Sequence, residues 1–426
     1  MNLLWLSWKN LTFKPLNALL SILLFALSIG LISLLLSLRE QADEQFDNNL
    51  AGINLVVGAK GSPLELTLNS MYHVGYATGN IPLKQVKAFF NPKHPIVADV
   101  IPLSVGDSYR GYRIVGTIPK ILEWYDAKLA QGAVWQHDFE VVVGAEVARN
   151  NGLQLGDKFK SNHGIIDEGD ENNIEHDDDF TVVGILAPGA TVMDQLVLTT
   201  NQTYWHSHEN HADAGGDDYA GHDHAGHDHT ADHAPASLME EDPEKEITSL
   251  LVKYRNASSF QALNFPRNIN ENTELLAANP AYEISEVRRQ FDSGQRIFGI
   301  LVLAITIVSA LSIFIALFSS LRERRYELAL MRTMGAGRAK LFLLIITEGL
   351  LVAVIGYLLG ILLSHGILSV LAANVQDDFR YTLSPWRFLA EEGWLFFAAL
   401  FIGFLAAVIP AVQAARTDIA ETLTTG

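Results

Sequence analysis

The chain has 426 residues, 49% of them hydrophobic, and still carries a formal charge of −18. The two properties are segregated, because residues 39–296 hold 39 of the 48 acids but only 19 of the 30 basic residues, leaving an apolar, slightly basic remainder. An acidic domain joined to a basic, apolar anchor fits that division, whereas a nucleic-acid- or polyanion-binding protein does not. The absence of cysteine excludes disulfides and thiolate metal sites.

In chain order, residues 1–38 read as an amphipathic lead-in helix and a first membrane span. The run 15–38 has no charge in 24 residues. As a helix it would extend roughly 36 Å, enough to cross about 30 Å of hydrocarbon. It is too long for a signal-peptide core, and no A-x-A cleavage pattern follows Leu38. Residues 39–296 read as a stalk and a large mixed α/β domain. Polar helices at 39–50 and 283–296 extend the neighbouring spans. Strands are expected at 53–57, 141–143, 181–186 and 196–199. A helix is expected from Gly144 to Leu153, closed by an Asn-Gly pair, with Leu155-Gly156-Asp157 as a tight turn. Then come a second span at 297–321, a basic connection at 322–340, a third span at 341–371, an outer loop at 372–392, and a fourth span with its tail at 393–426. The fold class is therefore a four-span helical membrane domain with the α/β domain inserted between the first and second spans.

Basic residues flank these spans unevenly. Lys9 and Lys14 precede the first, Arg416 ends the fourth, and Arg322, Arg324, Arg325, Arg332, Arg338 and Lys340 fill the connection between the second and third. The 372–392 loop has Arg380 and Arg387 against four acids. The positive-inside rule places both termini and 322–340 in the cytoplasm and the α/β domain outside. The expected location is a bacterial inner membrane, with the outer domain periplasmic.

Between Lys160 and Lys253 the sole basic residue is Lys245, against 21 acids. This region contains WHSHENHADAGGDDYAGHDHAGHDHTADHAP (205–235), which holds His206, His208, His211, His222, His224, His227, His229 and His233, eight of the 14 histidines. With few apolar residues to bury, a disordered loop is expected over about 205–246. Imidazoles interleaved with carboxylates suit zinc, copper or nickel, with zinc favoured. A solvated acidic spacer is the alternative.

The connection LRERRYELALMRTMGAGRAKLF (321–342) combines arginines with apolar residues at Tyr326, Leu328, Leu330, Met331 and Met334. Those positions give one side of a helix an apolar face that a plain membrane anchor would not need, and that suits a groove on a soluble partner. Gly335 and Gly337 end the helix. In the third span, Glu348 is an ionisable group at membrane depth and so a functional candidate, or else a buried carboxyl hydrogen-bonded to a neighbouring helix. His365 is expected to be a packing or interfacial histidine. Gly356 and Gly360 form a small-xxx-small pair.

The run Arg324-Arg325-Tyr326-Glu327-Leu328-Ala329-Leu330-Met331-Arg332-Thr333-Met334-Gly335-Ala336 resembles the cytoplasmic coupling motif of MacB/FtsX-like ABC permeases, the mechanotransmission group. Further stretches match in order: 8–30 resembles that family's first span, 142–159 with 180–198 the core of its outer domain, and IPAVQAARTDIAETL (409–423) its tail. The stretch 56–82 points to a separate branch, and the histidine-rich insertion is a departure from the usual outer domain.

The resemblance implies a non-catalytic permease subunit, likewise a homodimer, driven by a cytoplasmic ABC ATPase, with Arg324, Arg325, Glu327, Leu330, Met331, Arg332, Met334 and Gly335 at the coupling contact. No Walker A pattern occurs in the sequence, and Gly58-Ala59-Lys60-Gly61-Ser62 has the wrong spacing. ATP would act through the partner, no covalent cofactor is expected, and zinc is the candidate ligand of the histidine-rich segment. A periplasmic lipoprotein or zinc-binding partner would link the permease to zinc acquisition. The alternatives are a metal-sensing signalling protein and an export or lipoprotein-release permease regulated by the histidine-rich loop. A secondary zinc carrier would need acid or histidine pairs facing each other across the spans, and the sequence offers only Glu348 and His365, about five turns apart on one helix.

Overall fold

The computed structural model describes residues 3–13, 15–164, 175–212, 242–379 and 384–416. It divides into a helical unit, Met1–Asp43 with Arg289–Gly426, and a sheet unit, Glu44–Arg288.

Helix α1 (Leu3–Phe13) is followed by α2 (Pro15–Leu50), which starts on a proline, where a missing N–H costs nothing. Then come β1 (Leu55–Ala59), α3 (Pro63–Thr67), β2 (Ile81–Pro82), α4 (Leu83–Val86), β3 (Val97–Tyr109), β4 (Tyr112–Gly116), α5 (Lys120–Trp124), β5 (Leu129–Gly132) and β6 (Glu140–Val143). Next are α6 (Ala145–Asn151), β7 (Lys158–His163), β8 (Glu175–Leu186), β9 (Val197–Thr199), α7 (Asn201–Ala212), β10 (Glu246–Ile247), β11 (Ser249–Tyr254), α8 (Phe260–Asn272) and β12 (Leu275–Ala278). The chain continues as α9 (Pro280–Glu323), α10 (Arg325–Thr333), α11 (Arg338–Phe379) and α12 (Ala390–Arg416).

The main sheet has the order β12-β1-β11-β3-β4-β9-β6-β8-β5, with β7 pairing β3 and β8. It is mixed: β4–β9 and β6–β8 run parallel, while the other pairs are antiparallel. Side chains alternate across the pleat, so Val56 and Leu251 enter one core with Ile101, Leu103 and Val115. Their chain neighbours Leu55, Val57, Leu250 and Val252 enter a second core on the opposite face. Both faces are covered, which is why these strands read as continuous apolar runs. The helix expected at Gly144–Leu153 is α6, and Gly152 closes it in the left-handed conformation at φ 66°.

Among the described residues, four helices are long and apolar enough to cross a membrane: Ala18–Leu50, Pro280–Glu323, Arg338–Ala373 and Ala390–Arg416. Phe25 and Ile29 of α2, Ile313 and Leu317 of α9, Leu344 and Ala353 of α11, and Ala407 of α12 share one core. Apolar packing alone does not distinguish partner helices from lipid, so polar contacts fix the register between α2 and α9. The Ser21 and Ser312 hydroxyls lie 3.0 Å apart, Ser28 and Thr306 2.6 Å apart, and Ser309 donates to the Leu24 carbonyl at 2.9 Å. The Gly356/Gly360 pair lies against α2, and a Cβ on Gly360 would come within 2.7 Å of the Ala26 carbonyl oxygen.

Three expectations are corrected. The histidine-rich segment does not begin as a loop, because residues 205–212 continue α7. Trp205 is buried and its indole N–H donates to the Glu246 carbonyl at 2.7 Å, an aromatic anchor strong enough to hold an otherwise polar helix on the sheet. The outer loop is shorter than 372–392, since α11 runs to Phe379 and α12 starts at Ala390. Acids in a first turn face the positive end of the helix dipole, so Glu391 and Glu392 extend α12 rather than preceding it. The connection at 322–340 is not one helix, since α9 runs on to Glu323, α10 occupies Arg325–Thr333 and α11 begins at Arg338.

Candidate coupling site

Helix α9 ends at Glu323, and Arg324 departs from helical geometry at φ −103°, ψ 13° before α10 begins. That break turns the Arg324 side chain inward, leaving it 14% exposed. Its Nη1 lies 3.6 Å from Glu348 Oε1 on α11, its Nη2 donates to the side-chain Oδ1 of Asn10 on α1, and its Nε donates to Glu327 at 3.1 Å. Asn10 donates its amide N–H to Glu348 Oε1, closing a triangle. Glu348 is buried, and an unpaired carboxylate there would carry a heavy desolvation penalty, which a permanent cation and an amide offset. Arg324 was expected among the residues offered to a soluble partner. It points the other way because Glu348 has no other cation beside it among the described contacts.

The remaining residues of the coupling motif divide by face. Leu328 and Ala329 are buried in the helical core, with Met331 packed against it. Tyr326, Leu330 and Met334 are exposed, as are Arg325 and Glu327, while Arg332 is half-buried. The expected single apolar face is thus two. Leu328 fastens α10 down, and the i, i+4, i+8 series Tyr326, Leu330, Met334 forms an outward ridge. Gly335 ends the helix at φ 95°, with its N–H on the Arg332 carbonyl and the Ala336 N–H on the Met331 carbonyl, each at 3.0 Å. This double closure needs a left-handed residue, which explains the glycine.

Of the candidate metal ligands, His206 and His208 lie on α7. His206 Nδ1 is 3.3 Å from Asp138 Oδ2, and His208 Nε2 is 3.4 Å from Asp107 Oδ1. His208 Nδ1 lies 2.8 Å from the Tyr204 carbonyl, which can only accept, so that nitrogen carries the proton. Residues two apart on a helix point about 200° apart, so these are two separate pairs. No group of three or more potential metal-ligating side chains occurs among the described residues. His211 ends α7 with its side chain outside the described set, and His222, His224, His227, His229 and His233 lie outside the described residues.

Two residues that pattern reading passed over matter here. Asn10 gave no signal, since an asparagine in a lead-in helix has many uses. Glu392 was counted in a solvated loop, yet it is buried and lies 3.4 Å from His365 across α11 and α12. The helical unit therefore does hold a facing acid–histidine pair, contrary to expectation. The available signal was an acid at the third position of an apolar helix, where it can cap the first turn.

A family model for the MacB-like periplasmic core domain matches residues 18–264, and one for the FtsX-like permease C-terminal region matches residues 299–419. The macrolide export ATP-binding/permease protein MacB of Escherichia coli is 28% identical over 141 residues, covering 32% of this chain and 21% of that protein. The uncharacterized ABC transporter permease protein Rv0987 of Mycobacterium tuberculosis is 27% identical over 165 residues, covering 35% of this chain and 19% of that protein. The matched region therefore spans about a fifth of the length of these relatives. Among solved structures, the periplasmic region of MacB from Actinobacillus actinomycetemcomitans aligns over 56% of this chain and 95% of its own, at 11% identity and a TM-score of 0.32. The extracellular domain of the transporter YknZ from Gram-positive bacteria aligns over 53% of this chain and all of its own, at 11% identity and a TM-score of 0.28. The core-domain match alone covers more than half of the chain, and with the permease match at its other end it makes this protein a member of the MacB/FtsX-like ABC transporter permease family.

Proposed function

We propose that this chain is the non-catalytic permease subunit of an ABC complex in a bacterial inner membrane, coupling ATP hydrolysis by a separate cytoplasmic ATPase to conformational work by its periplasmic domain. In this reading α2, α9, α11 and α12 are the four spans, the sheet unit is inserted between the first two, and both termini and α10 are cytoplasmic. A second protomer completes the permease.

The observation that carries the reading is the division of α10 into a buried face and an exposed ridge. A helix pinned by Leu328 and Arg324 transmits a push on Tyr326, Leu330 and Met334 into α9 and α11, where a loosely held loop would absorb it. The test is to replace Leu330 and Met334 together by Asp and measure co-purification of a co-expressed cognate ABC ATPase. Recovery is expected to fall by about tenfold, as for loss of an apolar anchor worth about 1.4 kcal/mol. Undiminished recovery would remove the coupling role.

We also propose that the histidine-rich segment captures zinc, which would tie the complex to zinc acquisition through a periplasmic lipoprotein or other zinc-binding partner. Support comes from the concentration of imidazoles and carboxylates between Trp205 and Pro235. Deletion of 213–233 is expected to remove most of the zinc bound at neutral pH. Calorimetry giving the intact stoichiometry after deletion would refute it.

A further inference from the structure

Helix α1 has 11 residues, too few to cross a membrane, and its two faces differ. On one face Ser7 is buried, with its hydroxyl donating to the Leu344 carbonyl of α11 at 3.4 Å, and Asn10 donates to Glu348. Leu6 and Leu11 pack against the helical core beside them. The two polar contacts advance together along both chains, so α1 runs beside α11 in the same direction. Asn10 also accepts from Arg324, which connects this face to the start of α10. On the other face Leu4, Trp5 and Trp8 are 61%, 59% and 52% exposed.

The exposed face has a chemistry of its own. Lys9 Nζ reaches back one turn and lies over the Trp5 ring, 4.5 Å from its centroid. Lysines near the end of a membrane helix bend in this way, bringing the ammonium to the headgroups while the methylene stem stays on apolar surface. Indoles collect at the same level, where the ring meets lipid and the N–H meets a polar group. Helix α1 ends at Phe13, and Pro15 opens α2, which is long and apolar enough to cross a membrane. Charge supplies the sign of the partner. Residues 1–39 contain Lys9, Lys14 and Arg39 and no acid, a composition drawn to an anionic surface.

We propose that α1 binds an anionic phospholipid of the leaflet beside it, with Lys9 on the phosphate and Trp5 and Trp8 at headgroup level, and that this contact steadies the joint of Asn10, Arg324 and Glu348. At about 100° per residue, Trp5, Trp8 and Lys9 fall on one side of the helix and Ser7 and Asn10 on the other. The lipid therefore holds α1 from outside while the joint holds it from inside. A shift of α1 on losing the lipid reaches Arg324 through the Asn10 amide, and with it the first turn of α10. An α1 that serves purely as packing for α11 would leave α10 indifferent to the charge of the lipid. The inference rests on the reading of α2 and α11 as membrane spans and is independent of the ATPase.

The chain contains no cysteine, so one introduced thiol carries one label. In the full chain in lipid nanodiscs, a fluorophore on Leu4→Cys is expected to be quenched by a lipid spin-labelled near its headgroup and shielded from aqueous iodide. Leu362→Cys, exposed on α11, is the control for the span and should be quenched by a lipid labelled deep in its chains. Iodide access at Leu4 alone, as for a face covered by a protein partner in its complex, would overturn this inference, and access at both positions would overturn the span reading as well. Hydrogen exchange over Leu328–Met331 is expected to be about fivefold slower in phosphatidylglycerol than in phosphatidylcholine, the effect of one basic residue at an anionic surface. In Lys9→Gln the difference should fall below about twofold, and Lys9→Arg should restore it. Equal exchange in the two lipids, or an undiminished difference in Lys9→Gln, would overturn the proposal. Should Lys9→Gln fail to accumulate, Lys9→Met keeps the stem without the charge and is read by the same criterion.

Discussion

Among the described residues of the helical unit two carboxylates are buried, and their partners differ in kind. Glu348 faces Arg324, a group that stays charged at any pH a cell meets, and the amide of Asn10. Glu392 faces the imidazole of His365 and the hydroxyl of Ser33. The two sites lie on α11 roughly 25 Å apart at about 1.5 Å per residue. The first is a fixed joint between α1, α10 and α11. The second ties the first turn of α12 to α2 and α11 through Ser33 and His365. Two buried acids with the same solvation problem are thus met in different ways, decided by what each faces.

The sharpest way to break this comparison is to remove the permanent cation. Arg324→Met leaves Glu348 buried with Asn10 alone, and is expected to destabilise the full chain by about 3–5 kcal/mol. Arg324→Met with Glu348→Met should recover most of that loss, because a buried ion pair replaced by apolar groups of similar volume is often close to neutral in stability. The measurement is thermal unfolding of the detergent-solubilised chain, followed by size exclusion. Equal losses in the single and double variants would mean that the pair is not a coupled joint.

The comparison also shows what could be read without a structure. The apolar runs were legible because a span needs length and freedom from charge, both visible locally. Helix α6 and its glycine stop were legible for the same reason, since cap and helix are adjacent in sequence. The coupling motif showed that α10 exists but not which arginine faces inward. Arg324 and Arg325 are chemically identical, and a backbone break at Arg324 gives the first to Glu348 and leaves the second exposed. Glu392 was obscured by composition, because an acid beside an acid before an apolar run looks solvated until the helix start is placed. Trp205 was hidden by the polar sequence around it, although one aromatic side chain sufficed to hold the start of the histidine-rich segment as a helix.

A buried histidine of the sheet unit sharpens the contrast. His73, in the sheet unit, adopts φ 52° and faces no carboxylate; burial, followed by the nearby Arg113 charge, lowers its pKa from 6.5 to about 3. A histidine whose folded pKa is depressed stays neutral in the folded chain while the unfolded chain takes up a proton. Its contribution is therefore complete above pH 6.5 and is lost as pH falls from there toward about 3. At about pH 5.5 the loss is about 1.4 kcal/mol. Acid should thus weaken the surroundings of His73. His73→Asn, which tolerates the left-handed backbone, should remove the acid sensitivity of hydrogen-exchange protection around Met71 and Tyr72. Unchanged acid sensitivity in the variant would assign the effect elsewhere.

The smallest effect is expected where the same pairing chemistry meets solvent. Arg39 of α2 lies 3.5 Å from Asp292 of α9 and 3.6 Å from Asp43, with its side chain 54% exposed. The Asp292 contact joins the same two helices as the buried Ser28–Thr306 bond, but water competes for every group and salt screens what remains. Arg39→Met is expected to change stability by less than about 0.5 kcal/mol, and the difference should shrink further in high salt. The measurement is again thermal unfolding, repeated at low and high ionic strength. A loss comparable to that of Arg324→Met would mean that facing charge alone, irrespective of burial, makes a joint in this helical unit. The distinction between the Arg324 pin and an ordinary surface pair would then fail.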